Sequence, residues 1–246
     1  MSGGAHLLRR RLGERRLRWG LGDRRRPVSA SYGFDRGVPI DRHYIESFLA
    51  RFAPQDGYAT GDLQGRLLEI GDRRYADRFG TFAEQPGPGV VHRVDVLHEN
   101  AANATATIVG DVTDPATLPA DTFDCIIATQ VLCVIWDVPA ALANLRRALK
   151  PGGVLLVTVP GITAALRPDR DHWGDWWRFT SSSLRRLLDD AFTGGRVQVE
   201  AYGNLQSATF FLHGLTAGDL SRQELDLRDP DYEVTVAGRA VKGATA

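Results

Sequence analysis

Between residues 66 and 159 the chain repeats one pattern that few folds can absorb: a short apolar run, a polar or amphipathic stretch, then another run. The runs are RLLEI at 66–70, VVHRVDV at 90–96, TATIV at 105–109, FDCIIAT at 123–129 and GVLLVTV at 153–159. Near-continuous Val- and Ile-rich runs of this length suit strands buried on both faces, as in a parallel sheet. Helical spacing falls at 74–83, 137–149 and 181–191. The clearest case, VPAALANLRRALKPGG, ends in Pro151 and two glycines. Strands alternating with helices predict a doubly wound α/β domain, its mostly parallel sheet covered on both faces. From Val96 to Thr105 there is too little chain for a crossover helix, so a compact loop is expected. RVQVEAYGN and YEVTVAGRAV read as two further strands, separated by an apolar helix, LQSATFFLHGL, and an acidic turn.

The 246 residues hold one such domain with additions. A basic arm is expected over 1–30 and a lid segment over 31–63, the latter with a helix N-capped by Asp41. The domain itself is expected over 64–246, with an insertion near 203–230. Position alone brings Arg42 and Tyr44 of the lid toward a ligand. Composition, 43% apolar and 24% charged, is that of a soluble globular protein. No apolar run approaches the roughly 18 residues of a membrane span. The arginine-rich start lacks the apolar core of a secretory signal, and a cytoplasmic protein is expected. Cys125 and Cys133 lie in apolar surroundings and read as buried, reduced thiols. Residues 1–26 carry nine arginines against Glu14 and Asp23, but no aromatic-rich basic module follows. The arm therefore reads as a solvated tail, and nucleic acid is not the expected partner. The motifs C-x-x-C, H-E-x-x-H and G-x-S-x-G are missing, so metal and serine-hydrolase chemistry lack support. Oligomeric state has no signature in the sequence.

Three acids fall at strand ends: Glu69 after the first run, Asp95 after the second and Asp111 just past the third. The carboxyl ends of strands in a doubly wound sheet line one crevice, where these acids are expected to converge. Asp95 lies 24 residues beyond Gly71, near the offset at which an acid bonds both ribose hydroxyls of an adenosine. Asp111 is suited to an adenine amino group, with Val112 packed on the ring. In LLEIGDRRYADRFG, however, Gly71 stands alone. A dinucleotide's pyrophosphate calls for two or three glycines, because only a backbone without Cβ atoms approaches it closely.

LLEIGD, VDV, IVGDVTDPATLPADTFDCIIATQVL, ALANLRRALKPGGVLLVTVPG and WRFTSSSLRRLLDDAF, in that order, resemble the successive motifs of class I S-adenosylmethionine-dependent methyltransferases. The likeness spans roughly residues 64–200. EIGDRRYADRFG with HWGDWWRFT further resembles a type 11-like bacterial subgroup often found beside glycosyltransferases or biosynthetic genes. The resemblance implies a seven-stranded Rossmann-like sheet with an antiparallel last strand, and S-adenosyl-L-methionine as cofactor. It implies a cofactor set of Glu69, Gly71, Asp72, Arg73, Asp95, Val96, Asp111, Val112 and Gln130. Glu69 and the Gly71 carbonyl would hold the methionine end, Asp95 the ribose, Asp111 with Val112 the adenine, and Gln130 the methionine portion. The family's second turn glycine is replaced by Arg73, which with Arg74 could pair with the cofactor's carboxylate.

The acceptor is expected to be a small molecule, such as a glycoside or natural-product intermediate, bound near RPDRDHWGDWWRFT. There His172, with Asp171 or Asp175 nearby, is the candidate base, and Trp173, Trp176 and Trp177 could wall a sugar or ring. Two other readings stay open at this level: an NAD-dependent oxidoreductase on a similar sheet, and a non-catalytic binding protein that kept the fold.

Overall fold

Side chains alternate across a strand, and here the alternation divides two cores. Leu67, Cys125, Ile127, Val154 and Leu156 enter one, while Leu68, Ile126, Ala128, Leu155 and Val157 enter the other. The computed structural model describes residues 24–54, 61–83, 87–165 and 167–244. Most of the expected basic arm lies outside them. Seven strands form one sheet: β1 (Gly65–Ile70), β2 (Val91–His98), β3 (Ile108–Val109), β4 (Phe123–Thr129), β5 (Leu149–Pro160), β6 (Arg196–Tyr202) and β7 (Thr235–Val241). Their order is β3-β2-β1-β4-β5-β7-β6. β1 to β5 pair in parallel, and β7 runs antiparallel to both β5 and β6.

Helices α1 (Ile40–Ala50), α2 (Arg74–Phe79), α6 (Leu205–Leu212) and α7 (Arg222–Asp226) cover the first face. Helices α3 (Val138–Ala148) and α5 (Ser181–Ala191) cover the second. A short α4 (Arg167–Trp173) follows β5. Sequence chemistry sets several ends. Asp137 caps α3 by accepting from Ala140 N–H, and Thr180 and Ser183 form a capping box on α5. Asp41 is not the cap of α1; Pro39 holds that position, and Asp41 sits in the first turn. The loop over 99–107 joins β2 to β3 without a helix, as its length requires.

β5 begins earlier than the sequence suggests. α3 stops at Ala148 and Leu149 already pairs with Phe123. The register then slips, so that Cys125 meets Val154. Gly152, at φ +80°, lets the chain turn inside that irregularity.

β2 runs on past its expected end. Glu69 pairs with Val96, Ile70 with Leu97, and Gly71 N–H still reaches the Leu97 carbonyl at 2.9 Å. Asp95 therefore lies within the strand rather than at its tip. It is 1% exposed and bonded to Arg66 Nε at 2.7 Å, Arg93 Nη2 at 2.9 Å and Thr107 Oγ1 at 3.1 Å. Burial opposes its ionisation, but these partners outweigh burial and hold the carboxyl below its ordinary range. Val96 is buried beside it.

The turn after β1 is also fixed from beneath. Glu69, 2% exposed, accepts the backbone N–H groups of Tyr75 at 3.1 Å and Ala76 at 2.8 Å. These are donors of the first turn of α2, which that helix cannot satisfy itself. Burial pushes the Glu69 carboxyl up to about 7, against the pull of those two bonds.

Asp95→Ala leaves two guanidinium groups facing a gap, and is expected to destabilise the fold by about 2–4 kcal/mol. Chemical denaturation at pH 7 measures it, and a loss below about 1 kcal/mol would contradict the structural role. Glu69 works in the opposite sense to Asp95. Its folded pKa is raised, so its favourable contribution is complete below pH 4.5 and is lost as pH rises through about 7. Glu69→Gln is expected to flatten the slope of stability against pH over that window, a change on the order of 2–3 kcal/mol. An unchanged slope in denaturation series at pH 5, 6, 7 and 8 would count against it.

Candidate active site

Chain order reverses between β1 and β4, and an open α/β sheet leaves a crevice beyond its strand ends at such a point. A cleft of about 590 Å³ opens there, within the range of small-molecule sites. Its floor comes from the turns after the parallel strands: Ile70 and Gly71, Leu97 to Glu99, Gly110 to Val112, and Gln130 onward. Its roof comes from Ala30 to Phe34, with Asp41 and Arg42 at the start of α1.

Gly71, at φ +100°, has no atom within 4 Å of where a Cβ would stand, so the backbone itself meets the cleft. Its carbonyl accepts from Asn103 Nδ2 at 2.9 Å, which ties the turn to the loop after β2. Asp111 lines the cleft and steadies its own turn, accepting from Thr113 N–H at 2.8 Å. Val112 is buried, with its carbonyl held by Asn144. Gln130 enters the cleft from a left-handed backbone at φ +56°, and its Nε2 is buried with no partner among the described residues.

Several expected site residues lie elsewhere. The cleft lining contains Gly71, Asp111, Val112, Gln130 and Asp175, but among the described residues it does not include Glu69, Asp72, Arg73, Asp95, Val96 or His172. Glu69 faces the start of α2 and Asp95 its own salt bridges, for the reasons given above. Arg73 turns outward and grips Asp77 with Nε at 2.9 Å and Nη2 at 2.8 Å. Arg74 and Asp72 pair at 3.5 Å on the surface. His172 is exposed and packs edge-on against Trp173, with ring centres 4.4 Å apart. Asp175 does reach the cleft, but Arg178 holds both its oxygens, Oδ2 at 2.8 Å. Tyr44 is a core residue, 2% exposed and packed on Tyr202.

Residues outside the expected cofactor set also line the cleft. Glu99, the first residue past β2, lines the cleft, and no hydrogen bond or ion pair engages its carboxylate among the described residues. The extra strand residues carry the tip of β2 from Asp95 to Glu99; an apolar Leu97 after Val96 was the signal that the strand continued. Arg42 brings a cation to the cleft lining, with its Nε 3.8 Å from the Asp41 carboxylate. Its Nη1 lies 3.4 Å from the Tyr75 hydroxyl and its guanidinium 5.6 Å from the Phe34 ring, while Nε is buried without a hydrogen-bond partner. Burial pushes the adjoining Asp41 carboxyl above its ordinary range, despite Arg42 beside it. Tyr32, at φ +57°, stacks on Phe211 and donates to the Ala164 carbonyl at 3.3 Å, which also receives Arg178 Nη2 at 3.1 Å.

No helix among the described residues is long and apolar enough to cross a membrane. Among them no cluster of three His, Cys, Asp or Glu side chains is arranged to hold a metal ion.

A family model described as a methyltransferase domain matches residues 39–191, more than half of the chain. No curated protein matches the sequence. Solved structures share the fold at low identity. A chain from the complex between the Haloferax volcanii Trm112 methyltransferase activator and a protein assigned as a methyltransferase is 20% identical, with a TM-score of 0.51. That match covers 84% of this chain and 92% of the other. The 4+2 cyclase SpnF is 16% identical at a TM-score of 0.52, covering 85% and 84%. An S-adenosylmethionine-dependent methyltransferase from Mesorhizobium loti is 15% identical at 0.51, covering 85% and 100%. A dehydrogenase reading does not survive the family match. The chain belongs to the methyltransferase domain family, with the Rossmann-like fold of the class I S-adenosylmethionine-dependent enzymes.

Proposed function

We propose that this cleft binds S-adenosylmethionine and directs its methyl group to a neutral small-molecule or sugar-bearing acceptor. What carries the proposal is the set of polar groups lining the cleft: Glu99, Asp111 and Gln130 from its floor and Arg42 from its roof. Gln130 Nε2 is a buried donor with no partner among the described residues, and Arg42 Nε makes no hydrogen bond, only a 3.8 Å ion pair with Asp41; a ligand carboxylate or carbonyl suits both donors. Glu99 is assigned the ribose hydroxyls, and Asp111 with Val112 the adenine. Gln130 and Arg42 are assigned the amino-acid end, Arg42 pairing with its carboxylate. The exposed backbone of Gly71 supports the same fit, since it leaves room where any other residue would project a Cβ.

When bound, the cofactor supplies a methyl group on a sulfonium with its leaving group built in, so the hard chemistry belongs to it. The chain's own tasks are alignment and exclusion of water, and alignment alone contributes several kcal/mol. Tyr32 and Phe34 roof the cleft and shield it. An acceptor hydroxyl must also release a proton. Asp175 is a poor recipient because Arg178 holds both its oxygens in close hydrogen bonds. Asp41 lines the cleft and is held more loosely, with Oδ1 accepting the Arg42 backbone N–H and Oδ2 3.8 Å from Arg42 Nε. Its burial raises its proton affinity, so it is assigned that role.

Titration calorimetry with S-adenosylmethionine tests the assignment. Glu99→Gln, Asp111→Asn and Arg42→Ala are each expected to weaken binding by about tenfold or more, the loss of one charged hydrogen bond. Arg73→Ala is expected to leave affinity unchanged. Wild-type affinity in all three cleft variants, or a loss in Arg73→Ala equal to theirs, would defeat the assignment. Asp41→Asn is expected to slow turnover with cofactor affinity intact.

A further inference from the structure

We propose that Trp136, Trp176 and Trp177 form a sugar-stacking subsite at the mouth of the cleft, holding a ring of the acceptor that projects beyond the methylated atom. The inference rests on the methyltransferase reading for what lies inside the cleft, but its own geometry is separate. Trp136 stacks on Trp177 with ring centres 5.2 Å apart and planes inclined 26°. Trp176 meets Trp136 edge-on at 5.4 Å. Despite this packing, Trp136 is 67% exposed and Trp176 54%. Large aromatic rings are mostly buried in soluble proteins, so a cluster left this open is a candidate contact surface. Trp177 stacks on the Trp136 ring and Trp176 meets it edge-on, yet most of the Trp136 surface stays open to solvent.

The cluster is anchored to the cleft wall. Trp177 Nε1 donates to the Ile135 carbonyl at 2.9 Å, and the backbone N–H groups of Trp176 and Trp177 both donate to the Cys133 carbonyl, at 2.8 and 3.2 Å. Cys133, Ile135 and Asp175 all line the cleft. The indoles thus ride on the same two segments that form its outer wall, and a ligand leaving the cleft there meets them directly.

Charge narrows the occupant. Asp175 and Arg178 satisfy each other in a two-pronged pair, which leaves no spare charge for an ammonium or a phosphate. Asp137, next to Trp136, is committed to capping α3. Each indole is therefore flanked in the chain by a charged residue that is already engaged: Asp137 by a backbone N–H, Asp175 and Arg178 by each other. A lipid surface would require those charges to enter an apolar phase. A pyranose ring meets the arrangement better, since one face presents C–H groups to an indole while its rim of hydroxyls reaches polar neighbours.

The test uses the full chain labelled with ¹⁵N and a panel of methyl glycosides of hexoses and deoxyhexoses, read through the indole N–H resonances. Loss of one resonance in Trp136→Phe assigns Trp136. Sugars are expected to shift that signal. Trp136→Ala is expected to weaken the strongest glycoside about five- to tenfold, while Trp136→Phe keeps most of the affinity. Calorimetry on the same variants is expected to give wild-type S-adenosylmethionine affinity. The proposal is overturned if no glycoside moves the Trp136 signal, if Trp136→Ala binds sugars as the wild type does, or if anionic phospholipid vesicles move the signal and sugars do not. Failure of the cofactor to bind the wild-type chain would instead strike the methyltransferase reading, and the sugar titration would be unaffected.

Discussion

One buried carboxylate holds the turn on which this cleft is built. Glu69 ends β1 within the core, and its two oxygens take the first backbone N–H groups of α2. A helix start needs such partners, and here the strand that precedes the helix provides them. The cost of burying the carboxylate is visible in its raised pKa, and the two N–H bonds offset part of it. With strand and helix pinned together, Gly71 between them has little freedom. Its N–H is fixed by Leu97 and its carbonyl by Asn103, so the turn is bonded on both sides to β2 and the loop that follows it. The bare backbone at Gly71 faces the cleft because everything around it is tied down.

The same region explains how one glycine suffices where related loops use more. The position of the missing glycine, Arg73, has φ −108° and immediately precedes α2, a conformation open to any residue. Its side chain leaves along the helix surface to Asp77, away from the ligand space. A cationic cofactor with no pyrophosphate does not demand closer backbone approach, and in the proposed binding mode the cation for its carboxylate is Arg42, in the roof.

Much of the architecture was legible because buried parallel strands leave a strong mark. The five apolar runs each became a strand, α3 and α5 fell within a residue or two of their expected spans, and the last two strands were found as an antiparallel addition. Ends were less legible. Sequence alone places Asp95 at a strand tip, because an acid near the end of an apolar run, here between Val94 and Val96, resembles one. What keeps it inside is the ladder with β1 and a pair of arginines, Arg66 from the neighbouring strand and Arg93 two residues back, and sequence does not announce that pairing. Glu69 was read as a ligand group for a similar reason: its partners, two backbone N–H groups, have no side-chain signature. Asp111, Val112 and Gln130 reach the cleft lining because they follow strand ends and no salt bridge among the described residues draws them away. His172 drew notice by its chemistry, yet it sits on the outer side of Trp173, where solvent competes for it.

On the proposed function, acceptor selectivity resides in the roof. The lid segment is not an independent flap: Val28 and Ser29 N–H groups both reach the His213 carbonyl, Ala217 N–H reaches Val38, and Pro39 bridges Thr216. Each of those partners belongs to the insertion between β6 and β7, and Tyr32 stacks on Phe211 of the same insertion. The two additions to the sheet therefore form one structure, and they meet the segment after β5 at the Ala164 carbonyl, where Tyr32 and Arg178 both donate. The cofactor half of the cleft is made from strand ends, whose geometry the sheet dictates. The acceptor half is made from three segments that the sheet does not dictate, joined by a few hydrogen bonds and one aromatic stack. Substitutions in that roof, Arg42 apart, can reshape the acceptor space while the strand tips keep their places, because the bonds that fix Gly71, Asp111 and Gln130 involve none of the roof residues.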